Sequence, residues 1–251
     1  MFKPRLSQKI VLRILAALIA LPFMLLAILF LIPQSQFEIE AARPSFWKYP
    51  PVDQASYNYS VLSDGRLKIH IEHPLLADVT PEMISWWYRN LALGEAIIAG
   101  ISYPYYQIFH LTEHGQIHIR EAATDGSAGM GVGALVYRQE TFGPFKSKGQ
   151  ARVMSFNRDG FVVIPVMGPL KLGRVEHNFK QVAGGTLYTV DTVLGSQAPV
   201  LGWFLNIYIR NKRFSEPVLE QWIRHQLEEV GSLPDYLPEL YSNRTVNKLK
   251  S

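Results

Sequence analysis

Residues 216–231 read EPVLEQWIRHQLEEVG, and this stretch decides the fold that we expect. Its apolar residues recur at the spacing of one helix face, and the final glycine is typical of a helix end. The apolar residues are Val218, Leu219, Trp222, Ile223, Leu227 and Val230. The stretch therefore predicts one long amphipathic helix near the C-terminus, with one side packed on a core.

Two polar residues fall on or beside the apolar side of this predicted helix. Glu229 lies inside the apolar arc, and His225 lies at its edge, one helical turn away. Glu228 and Arg224 are predicted to point the other way. A buried carboxylate must be paired, protonated or bound to a cation, because an unpaired one costs several kcal/mol. The pair therefore predicts either a metal site or a His–Glu ion pair at the core boundary.

The preceding chain alternates apolar and polar residues between turn signals, which is typical of antiparallel strands. A hairpin is predicted at 57–62 and 66–72, and Thr80-Pro81 predicts the start of a short helix. Further strands are predicted at 105–111, 116–121, 132–141, 150–156, 160–166, 172–180 and 186–194, followed by a helix at 199–208. A short helix, many strands and a long final helix indicate an α+β fold.

A curved sheet wrapped on one long helix commonly encloses an apolar pocket, and aromatic residues are available to line it. The candidates are Trp86, Trp87, Tyr103, Tyr105, Tyr106, Phe109, Tyr188, Trp203 and Phe204. Aromatic residues at such spacings belong to the core more often than to a ligand site. We expect only a minority of them to contact a ligand.

The N-terminus predicts a membrane anchor. Between residues 10 and 32 the only charged residue is Arg13, and this run is long enough to cross a bilayer. Four basic residues precede or open the run, namely Lys3, Arg5, Lys9 and Arg13. The positive-inside rule then predicts a single-pass protein with a cytoplasmic N-terminus and an extracytoplasmic domain, periplasmic in a bacterium. A cleaved signal peptide and a buried core helix are the alternatives.

The predicted organisation has five parts. They are a cytoplasmic basic segment at 1–9, a transmembrane signal anchor at 10–32, a linker at 33–55, a domain at 56–241 and a tail at 242–251. Without the four N-terminal bases, the 25 basic residues fall to 21, equal to the 21 acidic ones, so no nucleic-acid surface is indicated. The absence of cysteine excludes disulfides, thiolate nucleophiles and cysteine metal ligands.

Several segments together resemble the 2,4-diacetylphloroglucinol hydrolase and phloretin hydrolase family. The segments are Val79-Thr80-Pro81-Glu82-Met83 with Trp86-Trp87, Phe109-His110 with His114, His177-Asn178-Phe179 with Gly184-Gly185, and His225 with Glu229 followed by Val230-Gly231-Ser232-Leu233 and Leu237-Pro238. The family pattern has Trp and Pro where this chain has Phe109 and Leu111. The resemblance covers roughly residues 60–241, and ordered blocks are more specific than any single motif.

The resemblance implies a helix-grip fold, of the START-like and Bet v1-like kind, and a zinc-dependent hydrolase. Family members cleave the carbon–carbon bond between an acyl group and a phloroglucinol ring. Carried over by motif, the metal ligands are His110, Glu140, His225 and Glu229, with His114 as the substitute for His110. The implied proton-transfer residue is His177, and the implied hydrogen-bonding residues for a phenolic substrate are Tyr106 and Tyr188.

The sequence therefore predicts a membrane-anchored hydrolase with Zn²⁺ as cofactor and a small apolar aromatic substrate. Two imidazoles and two carboxylates suit Zn²⁺, and also Fe²⁺ or Mn²⁺. An apolar-ligand or lipid-binding module on the same fold, without catalysis, is the alternative, and an anchored scaffold is the third hypothesis. The inward position of His225 and Glu229 favours the enzyme.

Overall fold

The structure is a computed structural model that describes residues 7–31, 37–39 and 46–245. The first six residues of the predicted basic segment, much of the predicted linker and the end of the predicted tail lie outside the described residues. Lys3, Arg5, Lys248 and Lys250 are among them. The statements below refer to the described residues.

A large antiparallel sheet forms the body of the protein. Its strands lie in the order β1-β2-β12-β11-β9-β8-β7-β6, with two short strands, β3 and β10, paired to β12 and β9. A separate hairpin is formed by β4 and β5. The bounds are β1 Ser56–Val61, β2 Leu67–Glu72, β3 Leu76–Ala77, β4 Glu95–Ile98, β5 Ile101–Pro104, β6 His114–Glu121, β7 Leu135–Phe142, β8 Phe145–Asn157, β9 Gly160–Met167, β10 Leu170–Lys171, β11 Gly173–Val182 and β12 Gly185–Leu194.

Six α-helices accompany the sheet in the described ranges. They are α1 Gln8–Leu31, α2 Pro81–Asn90, α3 Tyr105–Phe109, α4 Leu201–Tyr208, α5 Glu216–Gly231 and α6 Leu233–Ser242. A single 3₁₀ turn spans Val52–Gln54, and a π-helical turn at Ile209–Arg213 follows α4. The α+β architecture, with a large antiparallel sheet and C-terminal helices, is confirmed.

Local sequence signals explain several of these elements. The Thr80 hydroxyl accepts a hydrogen bond from the Met83 amide at 3.3 Å, so it caps α2, and Pro81 takes the first helical position, where no amide is needed. Gly65 adopts a φ of 81° in the turn between β1 and β2, a conformation that favours glycine. The predicted hairpin and the predicted short helix are therefore confirmed.

The core lies between one face of the sheet and the helices. Along β12, every second residue from Thr186 to Leu194 is buried, while the residues between them are only half-buried. Helix α5 buries the apolar face that its sequence predicts, from Val218 to Val230, and the same face carries His225 and Glu229. The functional residues discussed below therefore come from core-facing positions.

The strand predicted at 105–111 is wrong, because Tyr105–Phe109 forms the short helix α3. Four of its five residues are buried, so the apolar run lacks the alternation that distinguishes a strand from a buried helical turn. The hairpin of β4 and β5 and the helix α6 were not predicted. Trp203, a predicted pocket residue, is 56% exposed, whereas the other predicted aromatic positions are at least partly buried.

The prediction of a membrane anchor at 10–32 is wrong. In the part of the chain that the structure describes, no helix combines the length and the apolarity needed to cross a bilayer. The predicted location, a single-pass protein with its domain outside the cytoplasm, depended on that anchor and is wrong with it. As far as Leu31, the apolar run belongs to α1, which packs on α4: Phe23 contacts Phe204 at a ring separation of 5.0 Å, and Phe30 contacts Tyr208 at 5.7 Å.

Candidate metal centre

Four nitrogen and oxygen donors from three separate elements converge in the buried interior. The Nε2 atoms of His114 and His225 are 3.1 Å apart. A Glu229 carboxylate oxygen lies 3.2 Å from His114 Nε2 and 3.6 Å from His225 Nε2. A Glu140 oxygen lies 4.0 Å from His114 Nε2. All four residues are buried.

The local fold explains why these four side chains meet. His114 opens β6 and pairs directly with Glu140 of β7, so the two residues lie opposite each other across the antiparallel ladder. His225 and Glu229 are four residues apart on α5, which places them on one helix face. Helix α5 contacts β7, so the helix pair is brought to the strand pair.

Both histidines present an unprotonated Nε2 to this cluster. The Nδ1 of His114 donates to the backbone carbonyl of Tyr106 at 2.7 Å, since a carbonyl can only accept. The Nδ1 of His225 lies 2.7 Å from a Glu113 carboxylate oxygen, to which it likewise donates. A neutral imidazole has one N–H, so two lone pairs face each other at 3.1 Å. Such a contact requires a cation or a proton between the two nitrogens.

The donor separations scatter around the edge length of a zinc coordination tetrahedron. With zinc bonds of about 2.0–2.2 Å, neighbouring ligand atoms in a tetrahedron lie about 3.3–3.6 Å apart. The observed separations run from 3.1 to 4.0 Å. His114, Glu140 and His225 form one of two buried groups whose donor atoms lie close enough to share an ion. The residues therefore fit a zinc ion.

Burial sets the protonation states of the two histidines and of Glu229. Burial lowers the pKa of His114 to about 3 and lowers the pKa of His225 well below its usual range, so both imidazoles are neutral. Burial also raises the pKa of Glu229 to about 8. At neutral pH the Glu229 carboxyl group is therefore largely protonated without a nearby cation, and Gln226 Nε2 donates to its other oxygen. A cation bound beside it would favour the ionised form.

A second layer of charged residues supports His225 from behind. Glu113 accepts from His225 Nδ1 and pairs with Arg224 at 2.5 Å, and Arg224 also pairs with Glu228. His110 lies 3.1 Å from a Glu228 oxygen, and its ring stacks on His225 at 4.6 Å. The group of His110, Glu113 and His225 is also compact enough for an ion. His225 Nδ1 donates its proton to Glu113 and so offers no lone pair on this side, and the structure therefore favours a supporting role for this group.

The outward position predicted for Glu228 is wrong. Its carboxylate is 15% exposed and contacts Arg224 and His110. The reason is the segment before β1, where Tyr49 covers this side of α5 by stacking on His110 at 4.7 Å. Sequence reasoning also missed Glu113, although it lies between the two histidines of the 109–114 segment.

The structure separates the two histidines that the sequence left as alternatives. His114 lies among Glu140, His225 and Glu229, whereas His110 stacks on the face of the His225 ring and directs its Nε2 to Glu228. Three of the four ligands first predicted are therefore brought together, and the fourth place at the cluster falls to the substitute, His114.

Tyr106 belongs to the same cluster. Its ring stacks on His114 at 3.9 Å, and its hydroxyl donates to a Glu140 oxygen at 3.0 Å. The other Glu140 oxygen lies 2.9 Å from Arg138 Nε. Tyr106 thus orients two of the four donors, and its hydroxyl is engaged with the protein.

The residues predicted for proton transfer and for phenol binding form a hydrogen-bonded chain on the sheet. His177 Nδ1 lies 2.8 Å from the Tyr188 hydroxyl, which lies 2.6 Å from the Tyr88 hydroxyl. Tyr88 contacts Phe109, which contacts His114, so the chain and the donor cluster share one interior. Burial lowers the pKa of His177 to about 3, so its ring is neutral at pH 7, and its proton-transfer role stays a prediction.

No family model matches the chain, and no curated protein matches it. Among solved structures, the chain is similar to protein Ms6760 from Mycobacterium smegmatis, with 12% identity and a TM-score of 0.43, over 71% of this chain and 95% of that chain. It is also similar to Ara h 8.0201, with 10% identity and a TM-score of 0.39, over 67% and 97% of the two chains. The di-domain ARO/CYC BexL from the BE-7585A biosynthetic pathway gives 11% identity and a TM-score of 0.40, over 74% and 50%. Structural similarity with TM-scores below 0.5 and identities of 10–12% supports no inference about function.

Proposed function

We propose that the chain is a zinc-dependent hydrolase that cleaves the carbon–carbon bond between an acyl group and a phenolic ring. The observation that carries the proposal is the pair of buried, neutral imidazoles whose Nε2 atoms face each other at 3.1 Å beside Glu229. We assign His114, Glu140, His225 and Glu229 as ligands. A helix-grip arrangement is part of the proposal, supported by the contact of α5 with β7 and by the continuous antiparallel order of the sheet.

The protein residues would hold and orient the ion, while the ion supplies Lewis acidity. When bound, zinc would polarise the acyl carbonyl and lower the pKa of an adjacent water. Glu113 and the Tyr106 carbonyl fix the two histidine tautomers through Nδ1, which keeps both Nε2 lone pairs directed at the ion. The buried setting strengthens each of these interactions, because the local dielectric constant is low.

Cleavage of an acyl–ring bond requires a proton at the ring carbon that departs. The proposed source is the chain of Tyr88 and Tyr188 hydroxyls, with neutral His177 as the partner that holds Tyr188 in place. The proton that the attacking water loses would return to this chain, so the reaction consumes one water and leaves both tyrosines protonated. The pKa of each tyrosine is raised well above its usual range by burial, so both hydroxyls keep their protons at neutral pH. The role predicted for His177 thereby becomes one of positioning a donor.

Arg138 supports a phenolic substrate. Its side chain is 46% exposed, yet its charge lowers the pKa of His114, His177 and His225, so the guanidinium lies within electrostatic reach of both parts of the interior. A fixed positive charge there favours the ionised form of a phenol and the negative charge that develops on the ring as the bond breaks.

The direct test uses an acylphloroglucinol, 2,4,6-trihydroxyacetophenone. We expect the zinc-loaded chain to release acetate and phloroglucinol in equal amounts, and the Glu229→Gln variant to lose this activity. Absence of both products from a chain that holds one zinc ion would refute the substrate class and leave the metal site standing.

A ligand-binding module without catalysis is the second candidate. The observation that favours it is the low pKa of His177, which removes the histidine acid that the hydrolase pattern implies. The two candidates differ in one result: the binding module takes up 2,4,6-trihydroxyacetophenone and releases it unchanged.

A further inference from the structure

A fifth buried histidine takes no part in the arrangement described so far. His73 follows β2 directly, is 2% exposed, and neither of its ring nitrogens has a hydrogen-bond partner among the described residues. Neighbouring histidines differ in this respect: His70 of the same strand pairs with Asp191 at 2.8 Å, and its side chain is 31% exposed.

The position of His73 follows from the alternation of β2. Leu67, Ile69 and Ile71 are buried on the core face, and His73 continues the same two-residue period. Its backbone amide donates to the carbonyl of Tyr188 on β12 at 3.0 Å. Its ring meets the Tyr188 ring edge-on at 5.0 Å. Tyr188, which belongs to the hydroxyl chain, therefore contacts His73 with its ring and His177 with its hydroxyl.

A buried imidazole without partners is energetically costly. Burial lowers the pKa of His73 to about 3, so the ring is neutral and carries one N–H donor and one nitrogen acceptor. Each buried polar group without a hydrogen bond destabilises the fold, because its hydration is lost and not replaced. An apolar side chain would avoid that cost at this position, and its neighbours Ile69 and Ile71 are apolar. The ring is explained if a bound group satisfies it.

We propose that His73 hydrogen-bonds a hydroxyl group of the ligand that occupies this interior. A hydroxyl both donates and accepts, so it can satisfy either nitrogen of the neutral ring. The inference rests on the proposed function in one respect, namely that the ligand is a polyhydroxylated aromatic compound. It adds a requirement for the substrate. The substrate must carry a hydroxyl group in addition to its acyl group, and this hydroxyl is hydrogen-bonded by His73, which does not belong to the metal centre.

The test measures binding of phloroglucinol, which has ring hydroxyls and no acyl group to cleave, to the full chain without metal. We expect the His73→Phe variant to bind phloroglucinol at least ten-fold more weakly than the unchanged protein. The matched control is His70→Phe, on the same strand, which should bind as the unchanged protein does. A second probe, 1,3,5-trimethylbenzene, can neither donate nor accept a hydrogen bond, so its affinity should be the same for the unchanged protein and for both variants.

Equal phloroglucinol affinity for the His73→Phe variant and the unchanged protein would overturn the inference, as would absence of binding to the unchanged protein. Zinc uptake and hydrolysis are measured separately, on portions of the same preparations that have been reconstituted with zinc. A protein that takes up no zinc on reconstitution, but whose metal-free form shows the His73 effect, would overturn only the hydrolase.

A second measurement avoids any substitution, in case His73→Phe does not fold. The ring nitrogens of His73 are followed by ¹⁵N NMR during titration with phloroglucinol. We expect the resonance of at least one nitrogen to move with saturation of the ligand site. Unchanged His73 resonances at saturation would mean that a buried water, and not the ligand, satisfies the ring, and the inference would fail.

Discussion

At the scale of single residues, His225 has a different function at each ring nitrogen. Its Nε2 faces the donor cluster, while its Nδ1 donates to Glu113, which Arg224 in turn holds. This arrangement couples a surface-facing charge network to a buried ligand. The carboxylate behind a histidine ligand fixes the ring orientation and raises the basicity of the other nitrogen.

A first prediction concerns Glu113. The Glu113→Gln variant should bind zinc about 10–100-fold more weakly than the unchanged protein, because the support behind His225 is weakened. The measurement is a competition titration with a chromogenic zinc chelator. The control is Glu121→Gln, since Glu121 pairs with Arg152 at the surface. Unchanged affinity in Glu113→Gln would show that Glu113 does not support a metal ligand.

A second prediction separates two adjacent glutamates of α5. Glu229→Gln removes a proposed ligand and should abolish stoichiometric zinc binding. Glu228→Gln weakens contacts to Arg224 and His110 and should leave one zinc per chain, with reduced affinity. Elemental analysis of both variants after dialysis provides the measurement. Loss of zinc in Glu228→Gln with retention in Glu229→Gln would reverse the assignment.

A third prediction concerns stability and pH. The pKa of His177 falls from 6.5 to about 3 on burial, so the unfolded chain binds more protons than the folded chain between these values. The stability is therefore complete above pH 6.5 and declines as the pH falls toward 3. Between pH 7 and pH 5 this one residue should lower the free energy of unfolding by about 2 kcal/mol.

Denaturant unfolding at pH 7 and pH 5 tests that prediction. The loss of stability between the two pH values should be smaller by about 2 kcal/mol in His177→Phe than in the unchanged protein. The control is His118→Gln, because His118 is exposed and should leave the pH dependence unaltered. An identical pH dependence in His177→Phe would show that His177 is not buried as a neutral ring.

At the scale of elements, the segment at 46–55 covers the helices that carry the site. Trp47 packs on Tyr236 of α6 at 4.7 Å, and Tyr49 stacks on His110. Gly231 marks the closest approach, because a Cβ added there would lie 2.4 Å from Pro50 Cγ. The segment predicted as a linker therefore packs, in this part, as a cover over the end of α5.

A fourth prediction tests this cover. The Tyr49 hydroxyl accepts a hydrogen bond from the Leu111 amide at 3.0 Å. Tyr49→Phe leaves that amide without its acceptor and should destabilise the fold by about 1–3 kcal/mol. Hydrogen exchange should show faster exchange of the Leu111 amide. Tyr59→Phe, at an exposed position of β1, is the control, and equal exchange in both variants would contradict the contact.

The sequence predicted some elements better than others for physical reasons. Helix α5 has a regular apolar period and a terminal glycine, so its bounds matched the prediction. Helix α3 was missed because a run buried on several sides has no period. The apolar run at 10–32 suggested a bilayer segment by its length and low charge, but none of the described helices, α1 included, combines the length and the apolarity that a bilayer requires.

At the scale of the whole molecule, the site is assembled from residues more than a hundred positions apart. The sequence indicated that His225 and Glu229 share a buried face, because both lie on one helix. It did not decide between His110 and His114, since that choice depends on where α3 ends and β6 begins. It missed Glu113 and His73, whose roles depend on neighbours from other elements.

The choice between His114 and His110 as a zinc ligand gives the most direct test of the proposed metal centre. The measurement is zinc content per chain, after reconstitution and dialysis, for the unchanged protein, His114→Ala and His110→Ala. We expect about one zinc in the unchanged protein, none in His114→Ala, and one in His110→Ala with weaker affinity. Full zinc content in His114→Ala, or no zinc in the unchanged protein, would contradict the proposed metal centre.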